Sequence, residues 1–349
     1  MTGRVGGLGP RARLGVLAVV LLVATVGAGG FVWRVHREQA AVRTSATGAP
    51  TRRNLAGVRD VPHLVFRNTA LGTDYGRVAL VPLSAPDGPR AVTPASCERV
   101  HATRDEALCL ASDRGLVTTY RAQVLDAEWA PRRDLPLVGT PSRARLSRDG
   151  SLAATTTFVF GDSYANPGQF STRTTVSRVD GEVVGDLEQF TLVVGGKVVT
   201  AVDRNLWGVT FADDDRFYAT AASGGRTWLV EGSLTTRRLT ALREDAECPS
   251  LSPDGTRIAF KKHGDLPPGR WRLAVYDLAT GAETLLAETR SVDDQAEWLD
   301  DGHVVYGLPR SEEGTATSDI WMTNADGSGA PTLLVPDAWS PSVVFPGGR

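Results

Sequence analysis

Apolar and polar residues alternate with period two along most of the chain, and residues that favour tight reversals interrupt the alternation at intervals. The clearest stretch is CPSLSPDGTRIAF, residues 248–260, where Leu251 on one side and Ile258 and Phe260 on the other alternate with polar neighbours. Strands with one buried face are patterned this way. Between them Ser252, Pro253, Asp254 and Gly255 form the turn. Proline presets φ near −65°, aspartate bonds back to its own backbone, and glycine takes the positive φ that a tight reversal requires. Weaker copies are RLSRDGSLAATTTF (145–158), TFADDDRFYATAAS (210–223), EWLDDGHVVYGL (297–308) and, faintest, VHATRDEALCLAS (100–112). Their anchoring aspartates Asp105, Asp149, Asp213, Asp254 and Asp301 fall 44, 64, 41 and 47 residues apart. A period near forty marks a propeller blade or a solenoid repeat.

A second unit, strand, Gly- or Pro-bearing turn and strand, recurs six times, at 77–92, 119–137, 174–187, 226–242, 271–286 and 319–335. Six second halves against five first halves leave one blade short, and the two ends of the chain supply the remainder. Pro341 and Ser342 repeat the opening seen at Pro249-Ser250 and Pro141-Ser142, and VPHLVF (61–66) fits the next strand of the same blade. The prediction is an all-β fold: six four-stranded antiparallel blades over residues 61–349, with blade 1 closed by both termini. Such a ring leaves no long open strand edge.

The LSPDGTRIAF and YDLATGAE strings, with SRDGSLAAT and NADGSG as looser matches, resemble the TolB-like, WD-repeat-like six-bladed β-propeller family. Its blade signature is an SPDG turn between two strands followed by a D-x-x-x-G turn. The resemblance covers the propeller alone. The small N-terminal domain that TolB carries has no counterpart here, so TolB's partners do not transfer with the fold.

Ahead of the repeats, residues 1–13 hold Arg4, Arg11 and Arg13 and no acid, and residues 14–33 are twenty uncharged residues. At the helical rise that run spans about 30 Å, the hydrocarbon thickness of a bilayer. It reads either as a retained membrane anchor or as a signal peptide cut after Ala28. Its length exceeds an ordinary signal core and favours the anchor. Arginines flank the span almost equally, so charge counting leaves orientation nearly tied. An N-terminal apolar segment on a large soluble domain usually exports it, which puts residues 1–13 in the cytoplasm and the propeller outside. Residues 34–60 lack periodicity and read as a flexible linker. Across the chain 38 basic residues balance 40 acidic ones, which argues against a nucleic-acid partner.

Candidate chemistry is sparse. GDSYA (161–165) lacks the final glycine of a serine-hydrolase elbow, and the five histidines have no zinc spacing. Outside the cytoplasm Cys97 and Cys109 are expected to pair. A plain hairpin turning near Asp105, however, places Cys97 opposite residue 113, so the pairing needs a bulge or a longer turn. Cys248 is left as a buried apolar thiol. The surplus length of blade 3 and its link to blade 4 lies in 161–173 and 188–207, the latter reading as an added hairpin around Gly195-Gly196. Phe170, Phe190, Lys197, Arg204 and Trp207 are the candidate contact residues there, with packing between blades as the alternative for Phe190 and Trp207. Asp293, Asp294 and Glu297 precede an innermost strand and are expected to face the channel mouth, where turn and rim roles are favoured over a metal. Six-bladed propellers that hydrolyse lactones or phosphoesters hold calcium with carboxylates in the channel, an oxygen set that suits a hard cation. The sequence therefore predicts a non-enzymatic, membrane-tethered extracytoplasmic scaffold for a protein or cell-envelope ligand, without a cofactor. The alternative is a calcium-dependent hydrolase with Asp293, Asp294 or Glu297 among its ligands.

Overall fold

The computed structural model describes residues 51–52, 55–115, 117–159, 171–310 and 317–347. The chain divides into two units. One comprises Ala49–Ala70 with Asp74–Arg349 and holds every element below; of the other, Met1–Gly48 with Leu71–Thr73, only 71–73 are described. The apolar run 14–33 and Phe170 lie outside the described residues. Among the described residues no helix is long and apolar enough to cross a membrane.

Six antiparallel sheets follow one another around a ring, each built on four strands. Blade 1 takes its innermost strand, Ala338–Val344, from the C-terminus and continues outward with His63–Asn68, Arg77–Pro82 and Arg90–Ser96. Val343 lies opposite Leu64, and Ser342 opposite Val65. The innermost strands of blades 2 to 6 are Arg99–Ala102, Thr140–Leu146, Asn205–Phe211, Glu247–Leu251 and Glu297–Asp300. Six blades, with the first assembled from both ends, match the expectation from the repeats.

The turn chemistry holds in detail. In blade 5 Ser252 Oγ donates to Asp254 Oδ1 (2.5 Å), the Thr256 N–H donates to the same oxygen (3.0 Å), and Gly255 sits at φ 73°. Blade 3 repeats this with Ser147, Asp149, Ser151 and Gly150, the last at φ 77°. The glycine-free copy at Asp213 reverses by another route, its carboxylate accepting the N–H groups of Asp215 (3.0 Å) and Arg216 (2.7 Å).

The core is not one mass but six apolar layers, one between each pair of neighbouring blades. Leu64 and Phe66 face blade 6 while Val65, between them in sequence, faces blade 2. A strand buried on both faces reads as a continuous apolar run instead of an alternation. Strings such as VALV at 78–81 follow from this.

Innermost strands leave one edge without a ladder partner, and buried backbone donors there must be satisfied some other way. Neighbouring blades supply side chains. Ser342 Oγ accepts from the Ala102 N–H (2.9 Å), His101 Nδ1 from the Leu146 N–H (3.1 Å) and Thr210 Oγ1 from the Leu251 N–H (3.1 Å).

Two parts of the chain go beyond the sequence expectation. The end of the presumed linker joins the sheet: Thr51–Arg52 pairs in parallel with Arg90 and Ala91, and the short helix Ala56–Arg59 buries Val58 in the layer between blades 1 and 2. The added hairpin does form, Thr191–Val194 with Lys197–Val198, turning through Gly195 (φ 55°) and Gly196 (φ 77°). It extends blade 4 by pairing in parallel with its outer strand, Thr191 against Arg238.

Candidate functional site

Residues 293–297 link blade 5 to the innermost strand of blade 6 and present Asp293, Asp294 and Glu297 to the centre of the ring. Each carboxylate meets a cation from another blade. Asp293 accepts from Lys261 of blade 5 (2.7 Å) and lies 3.6 Å from Arg143 of blade 3. Asp294 accepts from Arg99 of blade 2 (2.9 Å) and from the Gly307 N–H (3.2 Å). Glu297 pairs with Arg145 of blade 3, directly across the ring, and Arg145 also approaches His101 Nε2 of blade 2 (3.1 Å). Gln295 donates to Val209 O (3.1 Å) and Pro249 O (2.9 Å) of blades 4 and 5. This short segment thus ties blade 6 to blades 2, 3, 4 and 5 through the channel.

Burial works to raise the pKa of Asp293, but Lys261 and Arg143 outweigh it and hold the carboxyl below its ordinary value. Burial likewise works to lower that of Arg143, and Cys248, Asp293 and Asp294 more than offset it, so the guanidinium stays charged. The three acids do converge on the channel, but as halves of ion pairs. A calcium cage asks for six to eight oxygens with surplus negative charge. Here each acid is met by a cation, Arg99, Arg143, Arg145 or Lys261, so these three residues present no such surplus. Among the described residues no three His, Cys, Asp or Glu side chains are grouped to hold an ion. Cys248 is a free, buried thiol, as expected, with Arg143 beside it.

On the face of the ring that carries the SPDG-type turns, the channel opens into a cavity of about 520 Å³. All six blades line it, through residues 101–105, 145–149, 210–211, 250–251, 297–298 and 343–345. His101, Arg145 and Glu297 are among the lining groups, and Arg148 reaches from the turn of blade 3 to the carbonyls of Ser252 and Pro253 in blade 5. A space of this size suits a peptide segment or a small ligand. His101, Arg145 and Glu297 form one charged cluster in it, while Asp149 accepts from Ser147 Oγ and Arg148 is held by the two carbonyls.

The four described contact residues expected in the insertion do not form one surface. Phe190 is 1% exposed and meets Phe217 edge-on at 6.5 Å in the layer between blades 3 and 4, and Trp207, opposite Thr220 in the blade 4 ladder, is buried as well. Both are packing residues. A side chain at Gly185 would collide with the Phe190 ring, so that small residue makes the fit. Lys197 is exposed at the hairpin tip, and Arg204 is half-buried, donating to Ala201 O and Phe190 O.

Sequence reading passed over Glu188 beside them. Its carboxyl accepts from the Thr174 N–H (3.1 and 3.0 Å), and burial with the nearby Asp186 pushes its pKa from 4.5 to about 9. The folded chain therefore keeps a proton that the unfolded chain releases, and each step up in pH between those values costs stability. Replacing Glu188 by Gln is expected to leave stability at pH 5 nearly unchanged and to raise it by a few kcal/mol at pH 8. Denaturant melts of both chains at the two pH values check this; equal gains at both would refute it.

Cys97 and Cys109 are joined by a disulfide, Cα atoms 5.4 Å apart. The hairpin register sets Val100 opposite Cys109, and Cys97 reaches it because residues 97–98 bend between the outer strand of blade 1 and the inner strand of blade 2.

No family profile matches the sequence, and no curated protein matches it. Solved structures do match the fold. TolB from Acinetobacter baumannii aligns over 83% of this chain and 68% of its own at 15% identity, with a TM-score of 0.58. A putative TolB from Agrobacterium tumefaciens aligns over 82% and 94% at 13% identity, with a TM-score of 0.51. The chain has a TolB-like six-bladed propeller fold.

Proposed function

We propose that this TolB-like propeller is a non-enzymatic binding scaffold that holds a protein or cell-envelope ligand at the mouth of its channel. On this reading residues 14–33 anchor it in the membrane and the propeller stands outside the cytoplasm. The observation that carries the proposal is the six-blade cavity: it has room for a ligand and many rigid segments to contact it. Loops on a rigid scaffold are where recognition is commonly built. The uncharged N-terminal run supports the anchor, and the Cys97–Cys109 disulfide suits an oxidising compartment.

A photo-crosslinking side chain at Arg104, on the rim of the mouth, is expected to trap one discrete partner or envelope polymer in intact cells. The same side chain at Asp265, exposed on a loop at the other end of the ring, serves as the control. No adduct at 104, or an identical pattern at both positions, would refute the proposal. The thermal melt is expected to be the same with and without chelator, since the channel is held by ion pairs; a chelator-dependent drop would restore the calcium reading.

A further inference from the structure

We propose that blade 2 carries a second site, for a ligand carboxylate, where Arg67, Arg114 and Tyr120 surround Glu98 at the end of the ring opposite the channel mouth. A cavity of about 350 Å³ lies there, lined from blades 1, 2 and 3 and distinct from the mouth in every lining residue. Glu98 is its hub. One carboxylate oxygen accepts from Arg67 Nη1 (2.8 Å), and the other accepts from Ser112 Oγ (2.7 Å) and Arg114 Nη2 (3.1 Å). Burial acts to raise the pKa of Glu98, but Arg67, Ser112 and Arg114 together lower it, so the group stays ionised.

Charge counting then points to the ligand. Arg99, also on the wall, is taken up by Asp294. That leaves two guanidinium groups on the single carboxylate of Glu98, a surplus of one positive charge. Arg114 is 68% exposed on its side chain and gives one of its five donors to Glu98. An incoming carboxylate can take a second pair of donors from the same planar fork, the geometry guanidinium favours. The Tyr120 hydroxyl accepts from Thr140 Oγ1 (3.2 Å), which leaves its own O–H to donate. Trp339, with Arg99 stacked 5.1 Å from its ring centre, adds an apolar wall. One surplus charge matches a monoanionic carboxylate better than a phosphate dianion. The disulfide keeps the site in shape before any ligand arrives: Cys97 precedes Glu98, and Cys109 lies on the strand that carries Ser112 and Arg114. Pre-organisation of this kind lowers the entropic cost of binding.

The test is calorimetric titration of the full chain with N-acetylglycine, its uncharged amide, and inorganic phosphate. Saturable binding of N-acetylglycine is expected, none of the amide, and weaker binding of phosphate. Arg114→Gln is expected to weaken N-acetylglycine binding about tenfold. Tyr120→Phe should weaken it by a smaller factor, and Arg226→Gln, exposed on blade 4, should leave it unchanged. Absence of saturation up to about 20 mM would overturn the proposal, as would an unaltered affinity in a folded Arg114→Gln protein. Phosphate binding tighter than carboxylate would overturn it as well. None of these outcomes depends on the crosslinks at Arg104, so either site can fail without the other.

Discussion

A chain ending at Val335 is expected to lose its cooperative melt and to aggregate, because the twelve residues described beyond that point close the ring. Ala338–Val344 is the innermost strand of blade 1 and pairs along His63–Asn68. Without it Leu64, Val65 and Phe66, all fully buried, face an open edge. The loss includes Ala338, Val343 and Val344, each burying side-chain area between blades. A buried valine contributes about 1.5–3 kcal/mol. It also strands Arg90, which donates to the carbonyls of Pro336 and Asp337, and removes the Ser342 link to blade 2. Net domain stability is about 5–15 kcal/mol, so these losses together exceed what the fold can absorb. A circular permutant that places residues 336–347 ahead of His63 keeps all four antiparallel strands of blade 1 and should melt cooperatively again. Thermal denaturation followed by near-ultraviolet circular dichroism checks both chains. A truncated chain melting within a few degrees of the intact one would rule out closure by the two ends.

The second large effect concerns Arg145 and Glu297, which face each other across the channel. Replacing Glu297 by Leu leaves Arg145 buried with its main counter-ion gone, and is expected to destabilise the fold by about 3–5 kcal/mol. Replacing Arg145 by Leu in that background should recover most of the loss, since removing both charges avoids the desolvation cost that a lone buried charge pays. Denaturant unfolding of the four proteins gives the coupling directly. Additivity to within about 0.5 kcal/mol would mean that the pair does not act as a brace.

The legibility of these two features in the sequence differs, and the difference has a physical cause. Ring closure could be read because Pro341-Ser342 repeats an opening found twice elsewhere, and repeats advertise themselves by local turn chemistry. The brace could not. Asp293, Asp294 and Glu297 were legible as acids near an innermost strand, but their partners Arg99, Arg143, Arg145 and Lys261 lie 32 to 195 residues away and come from three other blades. A usable signal was present in retrospect: Arg99, Arg143 and Arg145 all sit on innermost strands, at positions where a propeller places buried residues. The same limit explains Phe190 and Trp207. An aromatic in an insertion looks like a contact residue until the blade it extends is in place, as Phe217 of blade 4 covers Phe190. The disulfide was half legible, since the register argument was sound for a plain hairpin but could not supply the bend at 97–98.

By itself the sequence determined the number of blades, the position of each SPDG-type turn, the added hairpin and the origin of blade 1 at both termini. All of these rest on residue chemistry within a dozen positions, where proline, aspartate and glycine act on their own backbone. Only the tertiary structure decided which charges meet in the channel, which aromatics are covered, and where cavities open at the two ends of the ring. Those depend on blades placed side by side, and Coulomb attraction and burial act on distance in space, which sequence separation does not measure.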